Sequence, residues 1–162
     1  MINAIVAVDD NWGIGYNGDL LEHIPEDLKF FKSMTTGKTV VMGLNTWNSL
    51  PVTPLPNRFN IVIEPTEYYK VPNEPIAHMD LETLLNGLDD SEIFVIGGGS
   101  IYRQLLPFCD HVYITKIYKE HENVDVYFPN LDITTDWNAV KLSDIKEHNG
   151  IMYQFWRYDR NS

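Results

Sequence analysis

Short apolar segments, separated by glycine, proline and polar residues, recur along the whole chain. Seven of them are rich in Val, Ile and aromatic residues, as is typical of β-strands: residues 2–8, 38–42, 59–63, 93–96, 111–117, 137–144 and 151–158. Several are apolar at nearly every position, which indicates strands that are covered on both faces. We therefore expect these segments to form the central sheet of the protein.

Four stretches between the predicted strands have the pattern of helices. They cover residues 25–35, 44–50, 80–88 and 99–106, and Asp80 is a suitable N-cap for the third. Strands that alternate with helices predict right-handed crossovers and a mostly parallel sheet. The last two strands follow each other around Asn149-Gly150, a strong hairpin signal, so the sheet should end in an antiparallel edge.

Composition and charge exclude several classes of function. The 162 residues are 44% hydrophobic, enough for one core, and no repeat or linker divides them, so a single domain over residues 1–162 is expected. A net charge of −11 would repel nucleic acids and anionic membranes. No segment approaches the roughly 20 apolar residues of a membrane span, and the chain begins without a secretory signal. With Cys109 as the single cysteine, we expect a reducing, cytoplasmic location.

A run of three glycines, Gly97 to Gly99, follows the fourth predicted strand. Bare backbone can approach a ligand closely there, and the N–H groups that begin the next helix could hold a pyrophosphate. The run could equally be an ordinary turn, and it does not match the G-x-G-x-x-G spacing of the common dinucleotide fold. Gly43, before the helix at 44–50, offers a second close approach to a ligand.

Asp27 is the most informative charged residue. It shares one face of the first predicted helix with apolar residues only: Ile24, Leu28, Phe31 and Met34. A carboxylate on an apolar face is costly to ionise and is usually paired with a ligand or a proton donor. The alternative is that Asp27, like Glu26, only complements the helix dipole. Asp27 is therefore the best candidate for an acid or a ligand anchor.

Two loops carry further candidates. Residues 11–19 contain three glycines in a long connection of the kind that often forms a lid. Arg58 lies in the proline-stiffened segment 54–58, where its planar guanidinium could bind a carboxylate, although a solvated surface arginine is the alternative. The five histidines show no spacing typical of metal ligands, so no metal is expected.

Taken in order, these segments resemble the dihydrofolate reductase family over essentially the whole chain. The matching segments are Ile5-Val6-Ala7, Gly13-Ile14-Gly15, Ile24 to Lys32, Val41-Met42-Gly43 with Thr46-Trp47, Leu55-Pro56-Asn57-Arg58, Val95 to Gly99, Ile101-Tyr102, Tyr113-Ile114-Thr115 and Asp125 to Pro129. The resemblance implies a three-layer α/β fold with an eight-stranded, mostly parallel mixed sheet, an antiparallel C-terminal edge and four flanking helices. The implied activity is the reduction of 7,8-dihydrofolate to 5,6,7,8-tetrahydrofolate by NADPH in one-carbon metabolism, in a monomer that antifolates inhibit.

The resemblance also implies roles for individual residues. Asp27 would anchor the pterin with support from Thr115, and Arg58 would bind the glutamate tail of the substrate. The substrate cleft would be lined by Ile5, Leu28, Phe31, Leu50, Leu55 and Ile96. The cofactor would be bound by Ala7, Ile14, Gly43, Leu44, Thr46, Glu64, Gly97, Gly98, Gly99, Ser100, Ile101, Tyr102 and Gln104.

The chain departs from the family pattern in two places. Leu20-Leu21-Glu22 stands where the family usually has Leu/Met-Pro-Trp, so Leu20 and Glu22 join the candidate catalytic residues. If Glu22 points inward, its charge should couple to Asp27 and raise one carboxyl pKa; the alternative is that it faces solvent.

The second departure concerns the cofactor. Where the family usually has a cation and hydroxyl groups for the 2′-phosphate of NADPH, this chain has Leu44, Glu64-Pro65 and Ser100. We therefore expect NADH to be accepted as well as NADPH.

Two other hypotheses stay open from the sequence. The chain could be the related reductase of riboflavin synthesis, although that enzyme lacks the Asp27 helix motif and the Leu-Pro-x-Arg loop. It could also be an inactive binding homologue, since Glu22 lies beside the predicted site. Oxidation of a reduced nicotinamide by dihydrofolate separates these hypotheses.

Overall fold

The computed structural model describes residues 1–64, the backbone of 69–70, and residues 75–162. Its strands are β1 (Ile2–Val8), β2 (Gly13–Tyr16), β3 (Asp19–Leu20), β4 (Thr39–Gly43), β5 (Phe59–Ile63), β6 (Tyr69–Lys70), β7 (Ile76–Met79), β8 (Ile93–Gly97), β9 (His111–Ile117), β10 (Val126–Tyr127), β11 (Trp137–Lys141), β12 (Lys146–His148) and β13 (Ile151–Arg160). Its helices are α1 (Pro25–Thr35), α2 (Leu44–Ser49), α3 (Leu81–Asn86) and α4 (Gly99–Leu105). Pro65, expected near the cofactor, lies outside the described residues.

A mixed sheet forms the centre of the molecule. Over the described residues it has ten strands in the order β11-β13-β9-β1-β8-β4-β5-β7-β6, with β12 also paired to β13. Neighbours are parallel from β9 through β7 and antiparallel where β13 joins β9, β11 and β12. Eight of these ten strands have four or more residues, and the two shorter ones are β6 and β12. The predicted fold class, with its antiparallel C-terminal edge, is confirmed.

Helices cover both faces of the sheet. Successive residues of a strand point to opposite faces, so neighbouring residues of one strand pack against different helices. In β4, Val41 belongs to an apolar cluster that includes residues of α3 and α4. Its neighbour Met42 belongs to a second cluster, with Phe31 of α1 and Trp47 of α2 packed against it. Burial of each such side chain contributes about 1.5–3 kcal/mol. No helix in the described part of the chain is long and apolar enough to cross a membrane.

Most predicted elements are found with small shifts at their ends. Strands β1, β5 and β9 and helix α1 have the predicted bounds. Asn149 and Gly150 have φ of 49° and 81°, as a tight hairpin turn requires, which confirms the C-terminal hairpin. The predicted strand 137–144 is too long. It ends at Lys141 because Ser143 turns to accept a hydrogen bond from the N–H of Phe155, and pairing with β13 resumes only in β12.

The glycine-rich connection at residues 11–19 is more regular than its sequence indicated. Strands β2 and β3 lie within it and form a separate three-stranded sheet with β10. Gly13 is required by a close approach, since a Cβ there would lie 2.8 Å from Cγ1 of Val124. Asp125 donates its N–H to the Gly15 carbonyl and accepts from the Asn17 N–H, both at 3.0 Å. The connection is therefore docked against the loop that follows β9.

Candidate active site

Asp27 and Thr115 meet between α1 and β9. Helix α1 begins after the buried Ile24, and Pro25 occupies its first position, where its missing N–H costs no hydrogen bond. In the first turn, Oδ1 of Asp27 accepts a hydrogen bond from Oγ1 of Thr115 at 2.6 Å. Thr115 is buried in β9 between β1 and β13. The structure thus brings together the two residues that the resemblance paired.

The Asp27 carboxyl is a half-buried acid with little electrostatic support. Burial raises its pKa above the ordinary value, and the hydrogen bond from Thr115 opposes that rise. Burial, together with the charge of Asp27, also raises the pKa of Tyr102, whose hydroxyl donates to the Ile5 carbonyl at 2.7 Å. No cation among the described residues contributes to the pKa of Asp27. A positively charged ligand is the partner that such a carboxylate favours.

The apolar residues predicted to line the substrate cleft lie largely in one cluster. Ile5 and Leu55 are buried members, and those packed against them include Phe31, Leu50 and Ile96. Leu28 differs, because its side chain is 51% exposed and lies outside the apolar clusters of the described residues. The buried face of α1 is therefore narrower than the sequence spacing suggested.

Arg58 is fixed by the loop that carries it. Its Nε donates to a carbonyl of the same loop at 2.9 Å, and its Nη1 donates to Oγ1 of Thr35 at 3.0 Å. Its guanidinium carbon lies 5.9 Å from the ring centre of Phe31. Buried Asn60 ties the loop to β5 through three hydrogen bonds. Burial lowers the pKa of Arg58, and with 7% exposure it is not the solvated arginine of the alternative hypothesis.

A bare backbone surface forms where β8 meets α4. A Cβ at Gly97 or Gly98 would lie 3.3 or 3.4 Å from Oγ1 of Thr46. Gly97 has a φ of +128°, which L side chains rarely adopt, and the Gly97–Gly98 peptide is cis. Glycine is therefore needed here, and its backbone is the surface nearest to Thr46.

The other residues predicted to bind the cofactor have varied surroundings. A Cβ at Gly43 would lie 2.9 Å from Ile101, and one at Gly99 would lie 2.6 Å from Val126, so both glycines also serve packing. Tyr102 is buried, and the half-buried positions are Ala7 and Ile14. The exposed ones are Leu44, Ser100 and Gln104, the last of which donates to Oγ of Ser100.

Glu64 forms a pair that its sequence position did not predict. Its Oε1 lies 3.2 Å from Nδ1 of His78, and both side chains are largely buried. The pair exists because β5 and β7 are parallel neighbours, with Val62 opposite His78. The sequence could have indicated this pair only if strand β7 had been predicted next to β5.

Glu22 is paired with Lys119 and His121 and not with Asp27. Its Oε1 accepts a hydrogen bond from Nζ of Lys119 at 3.0 Å and lies 3.0 Å from Nε2 of His121. Burial opposes its ionisation, but the contacts with His121 and Lys119 outweigh burial and hold the pKa of Glu22 below its usual range. The predicted repulsion between Glu22 and Asp27 is wrong, and so is the solvent-facing alternative, since the side chain is only 19% exposed. Leu20 lies in β3 with its side chain half exposed.

The arrangement defines the ligands that the site can hold. A half-buried carboxylate beside an apolar cleft suits a flat ring with a protonated edge, and the fixed Arg58 suits a carboxylate. The bare backbone at Gly97 and Gly98 allows a second ligand to approach closely. Among the described residues, no group of three or more His, Cys, Asp and Glu is arranged to hold a metal ion.

Comparison with known proteins agrees with this description. The family model described as dihydrofolate reductase matches residues 1–160. A dihydrofolate reductase of Bacillus subtilis is 36% identical and covers 100% of this chain and 96% of its own length. Those of Neisseria gonorrhoeae (36% identical, 97% and 96% covered) and Mycobacterium leprae (38% identical, 99% of each) are similar. The chain therefore belongs to the dihydrofolate reductase family.

Proposed function

We propose that Asp27 is the residue on which the reaction of this enzyme depends, and that Thr115 sets its state of charge. The reaction is that of the family, in which 7,8-dihydrofolate is reduced to tetrahydrofolate with NADPH. The observation that carries the proposal is the half-buried Asp27 carboxylate, which accepts a hydrogen bond from Thr115 and has no cation among the described residues to support it.

Asp27 acts through its charge. Hydride addition to the pterin requires a proton on the ring nitrogen beside the carbon that is reduced, and the bound nicotinamide supplies the hydride. An anionic carboxylate in apolar surroundings stabilises that protonated ring, because the surroundings screen the attraction less than water does. In this role Asp27 holds the pterin while the proton itself comes from water.

Three groups of residues orient the two ligands. The bare backbone at Gly97 and Gly98, beside Thr46, would let the nicotinamide ring approach the end of β8 closely. The half-exposed Leu28 offers apolar surface for the middle of the substrate. Arg58 is held by Thr35 and its own loop through two N–H groups and can offer others to the carboxylate tail. Antifolates bind the same cleft.

The remaining expectations concern the state of the protein in the cell. We propose that it acts as a single-domain monomer in the cytoplasm. Burial raises the pKa of Cys109 to about 12, and this keeps the thiol protonated and unreactive. A single cysteine has no partner for an internal disulfide, and this supports a reducing compartment.

Asp27→Asn should keep the fold and lower turnover of dihydrofolate at neutral pH by about a hundredfold or more. Its activity should recover as the pH falls, because solvent then protonates the substrate. Wild-type activity should instead decline with falling pH, beginning above the ordinary carboxyl range because the pKa of Asp27 is raised. The rate of NADPH oxidation across pH measures this. Glu26→Gln is the control, and wild-type turnover in Asp27→Asn at neutral pH would contradict the proposal.

Arg58→Leu should weaken the binding of dihydrofolate by about ten- to a hundredfold, because a charge-assisted contact with the carboxylate tail is lost. A diaminopyrimidine inhibitor without that tail serves as the internal control and should bind with little change. Dissociation constants of both ligands, measured on the same preparation, decide the matter. Equal losses would mean that Arg58 supports the loop and not the tail.

NADH should support measurable turnover, with kcat/KM within about a hundredfold of that with NADPH. The three residues expected beside the 2′-phosphate are Leu44, Glu64 and Ser100. Among them Glu64 carries a negative charge, and none carries a permanent positive charge. Glu64→Gln should raise the preference for NADPH, because repulsion of the phosphate is removed. A preference of several orders of magnitude in the wild type would show that a cation outside this set reaches the phosphate.

A further inference from the structure

Glu26 joins the first turn of α1 to the C-terminal strands of the sheet. Its Oε2 accepts a hydrogen bond from the hydroxyl of Tyr153 in β13 at 2.6 Å, and its Oε1 lies 3.0 Å from Nζ of Lys146 in β12. Lys146 and Tyr153 are opposite each other where β12 pairs with β13. Two neighbouring strands therefore hold one side chain of the helix.

The hydrogen bond from Tyr153 is the better shielded of the two contacts. Tyr153 is 2% exposed, whereas the side chains of Lys146 and Glu26 are 38% and 47% exposed. An ion pair with that much exposure contributes little. Burial of Tyr153 and its contact with Glu26 raise the pKa of the Tyr153 hydroxyl to about 12, so it keeps its proton and remains a donor at neutral pH.

The start of α1 needs support of this kind because the helix is not capped by a polar side chain. Ile24 occupies the N-cap position, and an apolar side chain cannot accept a hydrogen bond from the first turn. Ile24 packs instead with Tyr153 and Phe155 in an apolar cluster. One turn further on, Phe30 stacks on Phe155 with ring centres 4.4 Å apart. Strand β13 therefore supports one side of α1 by apolar packing, and Glu26 adds the directional contact at its first turn.

Tyr153 and Thr115 stand on the same face of the sheet. Thr115 is opposite Phe155 where β9 pairs with β13, and Tyr153 is two positions before Phe155. Their hydroxyls donate to consecutive residues of the helix, Tyr153 to Glu26 and Thr115 to Asp27, both at 2.6 Å. Consecutive helix residues point roughly 100° apart, so two such bonds restrain rotation of the turn about the helix axis.

We propose that Tyr153 is a positioning residue for Asp27. By holding Glu26, its hydroxyl fixes the first turn of α1 in the rotation at which the Asp27 carboxylate meets the Thr115 hydroxyl. This rests on the proposed role of Asp27 and adds to it a residue of the edge strand β13. Burial and nearby carboxylates, Asp27 among them, raise the pKa of Tyr153 and of Tyr102 in α4, so both hydroxyls stay neutral near the site.

Tyr153→Phe removes the hydroxyl and keeps the ring, so the apolar packing is preserved. The pKa of Asp27, followed by isotope-edited NMR, should rise by about half a unit, because the turn shifts and the bond from Thr115 to the charged form weakens. The fall of activity with falling pH should then begin at higher pH than in the wild type. At neutral pH, kcat/KM for dihydrofolate should fall about two- to tenfold.

Tyr158→Phe is the matched control. Tyr158 lies on the opposite face of β13 and donates to Oδ1 of Asp132 at 2.7 Å, so this variant loses a similar bond away from α1. Both variants should lower the temperature of thermal unfolding, but only Tyr153→Phe should raise the pKa of Asp27. Glu26→Gln keeps a side-chain oxygen that accepts the Tyr153 hydroxyl, whereas Glu26→Ala does not and should reproduce the effect of Tyr153→Phe.

The two proposals fail in different ways. If the Asp27 pKa and the pH profile of Tyr153→Phe match those of Tyr158→Phe, the positioning role is overturned and Tyr153 contributes to stability alone. Full activity of Asp27→Asn at neutral pH would refute the role of Asp27 instead. That result would leave the NMR comparison of Tyr153→Phe with Tyr158→Phe intact, because the comparison does not need catalysis.

Discussion

The hydrogen bond from Thr115 to Asp27 is the contact on which the rest of the site depends. It joins the first turn of α1 to a central strand, and it is the interaction that favours the charged form of a carboxyl whose burial favours the neutral form. Thr115 can do this because β9 is paired along its length with β1 and β13, so its hydroxyl has little freedom to move. A residue held in the sheet thus favours the charged form of a carboxyl on a neighbouring helix.

The protein also has to hold anionic ligands although its net charge is −11. Long-range attraction cannot help, so binding must come from local groups. We propose Arg58 as one such group, since it is fixed by Thr35 and by the loop that Asn60 ties to β5. We propose the backbone at Gly97 and Gly98 as another, because it offers close approach without any side chain. Acidic side chains near the site are paired, as Glu22 is with Lys119 and His121.

The sequence predicted the long elements well and the short ones poorly. Helix α1 and strands β1 and β9 span 7 to 11 residues, which is enough for their apolar patterns to be distinctive. Strands β2, β3, β6, β7 and β10 span two to four residues, too few for a pattern, and their pairing is decided by distant partners. Residues 11–19 were therefore predicted only as a long connection, and the small sheet that they help to form with β10 was not predicted.

The same distinction applies to the site. Asp27 could be found because a charge on an apolar helix face is visible in the sequence, whereas the position of Thr115 came only from the family resemblance. For Glu22, the departure from the family pattern left two orientations open, toward Asp27 or toward solvent, and the structure shows neither. The actual partner of Glu22, His121, is 99 positions away, and no local pattern could indicate that contact.

The pKa of the Asp27 carboxyl, followed by isotope-edited NMR in the wild type, Thr115→Val and Thr115→Ser, tests the central claim most directly. Loss of the hydroxyl in Thr115→Val should raise this pKa further, by up to about one unit, because burial remains while the bond to the charged form is gone. Thr115→Ser keeps a hydroxyl and should return the pKa toward the wild-type value. An unchanged pKa in Thr115→Val would contradict the claim that Thr115 holds the carboxylate in its charged form.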